Sequence, residues 1–225
     1  MRRFRFPLLM SAAIAAAATT MSAGGWAVVT LNELPDRFEA GRAVPLTFMV
    51  RQHGMTPMTG LSPSIEASYK DVKVSAAATA TAKTGEYSAT LTLPTTGEWT
   101  ITVHTGFLGS KLTLLPVSVV TAKPAGVDTA ARGSLADHGR RLFVAKGCVT
   151  CHAQAQEMST PALNIGPAIV AQKYRDDFLA RVLENPSAAL PRRTASAEMP
   201  NLNLQPREIA ALVAYINHVP TTSSR

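Results

Sequence analysis

Residues 134–152 read SLADHGRRLFVAKGCVTCH, and this stretch decides the architecture of the C-terminal half. Ser134 can cap a helix that runs to about Lys146, and Gly147 ends it; Leu135, Leu142, Phe143 and Ala145 supply its apolar side. Directly behind the helix stands Cys148-Val149-Thr150-Cys151-His152. These are the only two cysteines of a 225-residue chain, so no other thiol is present to pair with either. Two thiols at this spacing can add as thioethers to the two vinyl groups of a haem, while the adjacent imidazole is offered to the iron. The motif therefore predicts one covalently attached haem c, held through Cys148 and Cys151, with His152 as a metal ligand. A thioredoxin-like pair would sit between a strand and a helix, whereas this motif follows a helix in an all-α half. A four-ligand zinc site would need a second pair of ligands, and His138 and His218 lack the spacing.

Outward from the motif the helical pattern continues. A second helix is predicted over Arg175–Glu184, with Phe178, Leu179, Val182 and Leu183 on one face and Asn185-Pro186 closing it. A third is predicted from Pro206 to about His218, with Ile209, Leu212, Val213 and Ile216 as its stripe and Glu208 favouring the positive helix end. Iron in a haem has two axial positions, and two methionines, Met158 and Met199, lie downstream of His152. Met158 follows the histidine too closely to wrap to the far face of a porphyrin. Met199 lies beyond a whole helix in a loop stiffened by Pro191 and Pro200, and is the expected second metal ligand; packing in the core is the other reading.

Taken in order, these residues resemble a class I c-type cytochrome domain over 134–220. Gly139 and Phe143 on the first helix look like the small-plus-aromatic pair that lets the last helix cross closely, with Tyr215 as partner. Gly166-Pro167 looks like the family's Gly-Pro. The resemblance implies that the Pro167 carbonyl accepts the other ring hydrogen of His152, which would fix the tautomer and make the imidazole more electron-donating. Met199-Pro200, Leu204, Glu208-Ile209, Leu212 and Tyr215-Ile216 look like the ligand loop and last helix. Arg192-Arg193 is not a hallmark of the family and reads as a solvated loop rather than a propionate contact.

Upstream, residues 24–121 read as all-β. Candidate strands are Trp26–Leu31, Pro45–Gln52, Ser64–Tyr69, Lys73–Ala78, Gly85–Leu93, Trp99–His104 and Lys111–Val120, a number that suggests an Ig-like sandwich. Tyr87, Ala89, Leu91 and Leu93 alternate with polar residues, and Pro94-Thr95-Thr96-Gly97 precedes Trp99, Ile101 and Val103, which predicts a hairpin with one buried face. Gly85-Glu86-Tyr87 with Gly97-Glu98-Trp99 resembles the YtkA-like family of Ig-like modules. His53, Met55 and Met58 offer soft ligands suited to Cu(I), with His104 elsewhere in the module; strand-end packing of both methionines is the competing and favoured reading.

Residues 122–133 lose the strand pattern and read as a linker, and 221–225 as a tail. Residues 1–23, with Arg2, Arg3 and Arg5 ahead of an Ala-rich apolar run, read as an export signal and predict a periplasmic protein. An uncleaved inner-membrane tether is the alternative, since Met21 is large for a position so near the cut. The formal charge of +7 includes the leader's three arginines. No dense basic run is interleaved with aromatics, so no nucleic-acid partner is expected. The two-domain chain thus reads as an electron-transfer protein rather than an enzyme, working in a respiratory chain with an oxidase or dehydrogenase as redox partner. A sensing or peroxidase-like haem with open iron, or a copper-handling module with a secondary haem, are the rivals.

Overall fold

The computed structural model describes residues 25–35, 37–121, 134–153, 163, 165–169, 173–190 and 198–218. The export segment, the 122–133 linker, the tail, Met158, Pro191, Arg192 and Arg193 all lie outside these. The described strands are β1 (Ala27–Leu31), β2 (Phe38–Glu39), β3 (Ala43–Gln52), β4 (Thr56–Pro57), β5 (Ser64–Tyr69) and β6 (Val72–Ala77). They continue with β7 (Thr79–Ala80), β8 (Glu86–Thr92), β9 (Gly97–His104), β10 (Lys111–Thr113) and β11 (Val117–Val120). Among the described residues four α-helices follow: α1 (Leu135–Ala145), α2 (Asp176–Glu184), α3 (Pro186–Ala189) and α4 (Pro206–Ile216).

The strands form two sheets. One has the order β1-β3-β8-β7, with β4 beside the far end of β3; the other runs β2-β11-β9-β5-β6, with β10 beside β9. All pairs are antiparallel except β11 with β2. Alternate residues of both sheets point inward to one core that includes Phe48, Ile65, Tyr87, Leu91, Trp99 and Ile101. Polar tips in that core find partners. The Tyr87 hydroxyl donates to the Met58 carbonyl at 2.9 Å, and the Trp99 indole N–H donates to the Thr95 carbonyl at 2.9 Å.

The predicted hairpin of 85–93 with 99–103 does not form. Strand β8 pairs with β3 and β7, while β9 pairs with β5, β10 and β11, so residues 93–96 carry the chain from one sheet to the other. Two strands that each turn one apolar face inward show the same alternation whether they pair within a sheet or face each other across a sandwich. Gly97 (φ 141°) tolerates no side chain in this crossing, because a β-carbon there would meet the Tyr69 ring at 2.5–2.9 Å. The predicted strand over 111–120 is also split, into β10 and β11, around Pro116, which has no N–H to give a ladder.

Ser134 caps α1 as its hydroxyl accepts from the Asp137 N–H at 3.1 Å, and Asp137 returns the bond to the Ser134 N–H at 2.9 Å. α1 and α4 cross closely. A β-carbon on Gly139 would overlap the Ala211 carbonyl, and Phe143 tilts against Tyr215 with ring centroids 5.5 Å apart. Two predicted core residues are exposed. Leu135 overhangs the first turn of α1 at 55% exposure, and Phe178 sits at 37% on the rim of the α2 stripe formed by Leu179, Val182 and Leu183.

The two halves share an interface. Leu142 and Phe143 pack into the helical core, while Val144 and Ala145 of the same helix join the sandwich core. Strand β1 is buried along its whole length, because Ala27, Val29 and Leu31 face the sandwich while its other side, at Val28 and Thr30, is covered by the end of α1.

Candidate functional site

The site begins where α1 stops. Gly147 takes a left-handed conformation (φ 79°) that turns the chain out of the helix, and it does so pressed on β1, where a β-carbon would strike the Val29 carbonyl and come within 2.7 Å of Val28 Cγ1. Residues Cys148–Thr150 then make one 3-10 turn. The Cys148 carbonyl accepts from the Cys151 N–H at 3.1 Å and the His152 N–H at 2.9 Å, so both thiols and the imidazole stand on a single closed loop.

The segment after the loop holds the imidazole. The Gly166 N–H donates to the Cys151 carbonyl at 2.8 Å, and the His152 ring lies directly over Gly166, where a β-carbon would sit 2.5 Å from Cε1 and 2.6 Å from Nδ1. His152 Nδ1 lies 2.9 Å from the Pro167 carbonyl oxygen. A carbonyl can only accept, so Nδ1 carries the hydrogen and Nε2 is left with its lone pair. Burial lowers the pKa of this ring, against the opposing effect of the Pro167 bond, which favours a neutral imidazole able to bind a metal.

Cys148 and Cys151 are free thiols, not a disulfide. Burial, reinforced by the neighbouring Cys151, pushes the Cys148 thiol up to about 12, and burial raises Cys151 as well. Met199 is half-buried in the extended segment ahead of α4 and packs on the helical core, whose border it shares with Cys148, Val149, Ile169, Tyr174 and Leu204. The next residue, Pro200, reaches the sandwich, with Cγ 3.8 Å from where a β-carbon on Gly54 would stand. This donor set fits a covalently attached haem. It offers two unpaired thiols at the attachment spacing, an imidazole with the correct nitrogen free, and a thioether bordering the same apolar cluster.

The soft ligands of the sandwich sit in different surroundings. Met58 packs against the sandwich core and Met55 is 43% exposed. His53 is exposed beside the Trp26 ring, at 5.5 Å between centroids. His104 faces Glu66 on the second sheet, Nε2 to Oε2 3.2 Å. Among the described residues no group of three or more His, Cys, Asp or Glu side chains could hold a metal ion.

Sequence reasoning missed Lys146, which is 4% exposed and pairs with Glu208 at 2.9 Å. The lysine reads as a routine cation at a helix end. The signal that could have exposed its burial is Ala27-Val28-Val29-Thr30-Leu31, an apolar run with little alternation, as expected of a strand covered on both faces.

The cytochrome c family model matches residues 136–220. The C-terminal half is a c-type cytochrome domain. Covalently bound haem c is its cofactor, and electron transfer is its class of function. No curated protein sequence matches the chain. Among solved structures, the chain is similar to domains 4 and 5 of the S-layer protein SbsC, with 14% identity over 42% of this chain and 51% of that one at a TM-score of 0.31. It is also similar to a CARDB domain from Pyrococcus furiosus solved with di-metal ions, with 18% identity over 44% of this chain and 96% of that one at a TM-score of 0.26. A superoxide reductase (neelaredoxin) from Ignicoccus hospitalis gives 13% identity over 44% and 86%, at a TM-score of 0.29. The chain spans about half the length of the SbsC two-domain structure and 13% of the SbsC structure of domains 1–6. Likenesses this weak carry no argument about the chain.

Proposed function

We propose that the protein is a periplasmic one-electron carrier of a respiratory chain, exported by residues 1–23 or tethered to the inner membrane by them, with a YtkA-like sandwich ahead of its haem domain. In this reading Cys148 and Cys151 would hold the haem as thioethers, and His152 Nε2 and Met199 Sδ would be its two protein ligands. When bound, the haem would supply a reversible one-electron couple, and a methionine ligand beside the histidine would raise its potential. The chain's own residues do the rest. Pro167 fixes the His152 tautomer and strengthens the ring as a donor, Gly166 leaves room for the ring, and Met199 packs on the apolar border of the helical core. Held by two protein ligands, the haem would offer no site for a substrate, and the protein would pass electrons between an oxidase or dehydrogenase and their carriers. The observation that carries this reading is the 2.9 Å bond from His152 Nδ1 to the Pro167 carbonyl. Among the described residues no helix is long and apolar enough to cross a membrane, and the tether assigned to residues 1–23 lies outside them.

The test is a visible spectrum of the haem-loaded protein in both redox states, then under carbon monoxide. The expected result is a methionine-to-iron charge-transfer band that disappears in Met199→Ala, and no carbon monoxide adduct unless Met199 is removed. Ready carbon monoxide binding by the unmutated protein would replace the carrier with an open-iron sensor or peroxidase-like protein.

A further inference from the structure

Lys146 ends α1 two residues before Cys148, and its ammonium is withdrawn almost completely from water. Nζ sits 2.9 Å from Glu208 Oε1 on the first turn of α4 and donates at 2.8 Å to the Asn32 carbonyl just past β1. The lysine's own carbonyl accepts from Thr30 Oγ1 at 3.3 Å. Glu208 spends its other oxygen on the Gln205 N–H at 2.9 Å, at the base of the segment that carries Met199. One buried side chain therefore joins three segments: the lead-in to the haem-attachment loop, the base of the methionine loop, and the end of the strand that faces the helical half. Two close approaches run parallel to it, Gly147 against the Val29 carbonyl and the Pro200 ring beside Gly54.

A buried ion pair is an expensive way to fill space, and an apolar pair of similar volume commonly serves stability as well or better. The best-attested use of such a pair is to specify one arrangement against its neighbours. A loop that must present one side chain to a cofactor would gain from such specification. We infer that Lys146 is a positioning residue: through Glu208 and the Asn32 carbonyl it braces the Met199 loop against the attachment loop and the β-sandwich, so that the sandwich helps keep the methionine on the iron. The inference rests on the His152/Met199 ligation proposed above.

The experiment uses the full-length, haem-loaded ferric protein and free imidazole as a competing ligand. Imidazole binds only molecules whose methionine loop is open, so its apparent affinity rises in proportion to the open fraction. Lys146→Met and Glu208→Gln should each raise that affinity about tenfold or more and weaken the methionine-to-iron band. Thr30→Val, which removes the hydroxyl that donates to the Lys146 carbonyl and accepts from Arg51, should raise it about twofold. Arg175→Gln, which breaks the exposed pair with Asp177, should change neither readout. The double variant Lys146→Met/Glu208→Leu removes both charges and decides the matter should the single variants not fold. An unchanged band and unchanged imidazole affinity in it would overturn the inference, and an unchanged Thr30→Val would remove the sandwich from the brace. A wild-type protein with no methionine-to-iron band would instead remove the ligation reading itself, an outcome separate from either.

Discussion

The two halves of the molecule close their cores in different ways. In the sandwich, Trp99, Tyr87, Phe38 and Phe48 are almost wholly buried among other side chains, and the buried hydroxyl and indole N–H bond to backbone carbonyls of the same half. Among the described residues the helical half has a smaller buried set, gathered where α1 crosses α4 with Leu179 and Leu183 of α2 beside it, and its border includes half-buried groups such as Cys148, Ile169, Tyr174 and Met199. One end of α1 is finished by β1 rather than by another helix. The sandwich core borrows only Val144 and Ala145 from the end of α1, whereas the cytochrome domain borrows β1 and would be completed by its haem. A domain of this size with so small a core is one that a covalently held cofactor can stabilise substantially.

The strongest way to break this contrast is to withhold the haem. Cys148→Ala/Cys151→Ala should abolish covalent attachment entirely, and the helical half should lose its cooperative unfolding transition while the sandwich keeps its own. Circular dichroism of the helices follows the first. Fluorescence follows the second, because both tryptophans of the chain, Trp26 and Trp99, lie in the sandwich. A helical half that unfolds cooperatively without haem would show that the contrast is wrong.

Two core substitutions come next in size, one for each half. Trp99→Ala leaves a large cavity at 0% exposure and should destabilise the sandwich by about 4 kcal/mol, with Trp26 left as the reporter. Gly139→Ala drives a methyl group into the Ala211 carbonyl and should cost the helical half about 3 kcal/mol as α1 and α4 move apart, read from the haem absorbance on heating. Each should move its own transition further than the other's. Equal movement of both transitions by either variant would mean that the interface at β1 couples the halves into one unit.

Legibility in the sequence followed the range of the forces involved. Short-range signals were plain: the serine cap of α1, the glycine at its end, Pro206 at the start of α4, and the attachment motif, whose chemistry is written in five adjacent residues. The alternation of Tyr87, Ala89 and Leu91, and of Trp99, Ile101 and Val103, identified strands and their buried faces. It could not say that β8 and β9 belong to opposite sheets, because the period of two is common to a hairpin and a crossing. Helix periodicity placed Phe178 on the inward side but could not say how wide the buried stripe is. The contact between halves was least legible, since the fate of Lys146 depends on Asn32 and Glu208, which are distant in the chain and chemically ordinary.

The smallest effect is also the most local one, and it sharpens the contrast because it touches only the helical half. Ser134→Ala removes the hydroxyl that accepts from the Asp137 N–H and should cost α1 about 1 kcal/mol near neutral pH. The Ser134 hydroxyl, followed by its backbone N–H, holds the Asp137 carboxyl below the usual aspartate range. A depressed folded-state pKa means stabilisation that is present above the ordinary pKa and is lost as pH falls through the folded value. The stability difference between wild type and Ser134→Ala should therefore be largest at neutral pH and shrink as the pH drops below about 4. Haem absorbance on heating measures it, and tryptophan fluorescence should stay in place throughout. A difference that persists unchanged into acid would mean that Ser134 caps the helix without help from the Asp137 charge. A fluorescence transition that moves with the haem would mean that even one helix cap is felt across β1.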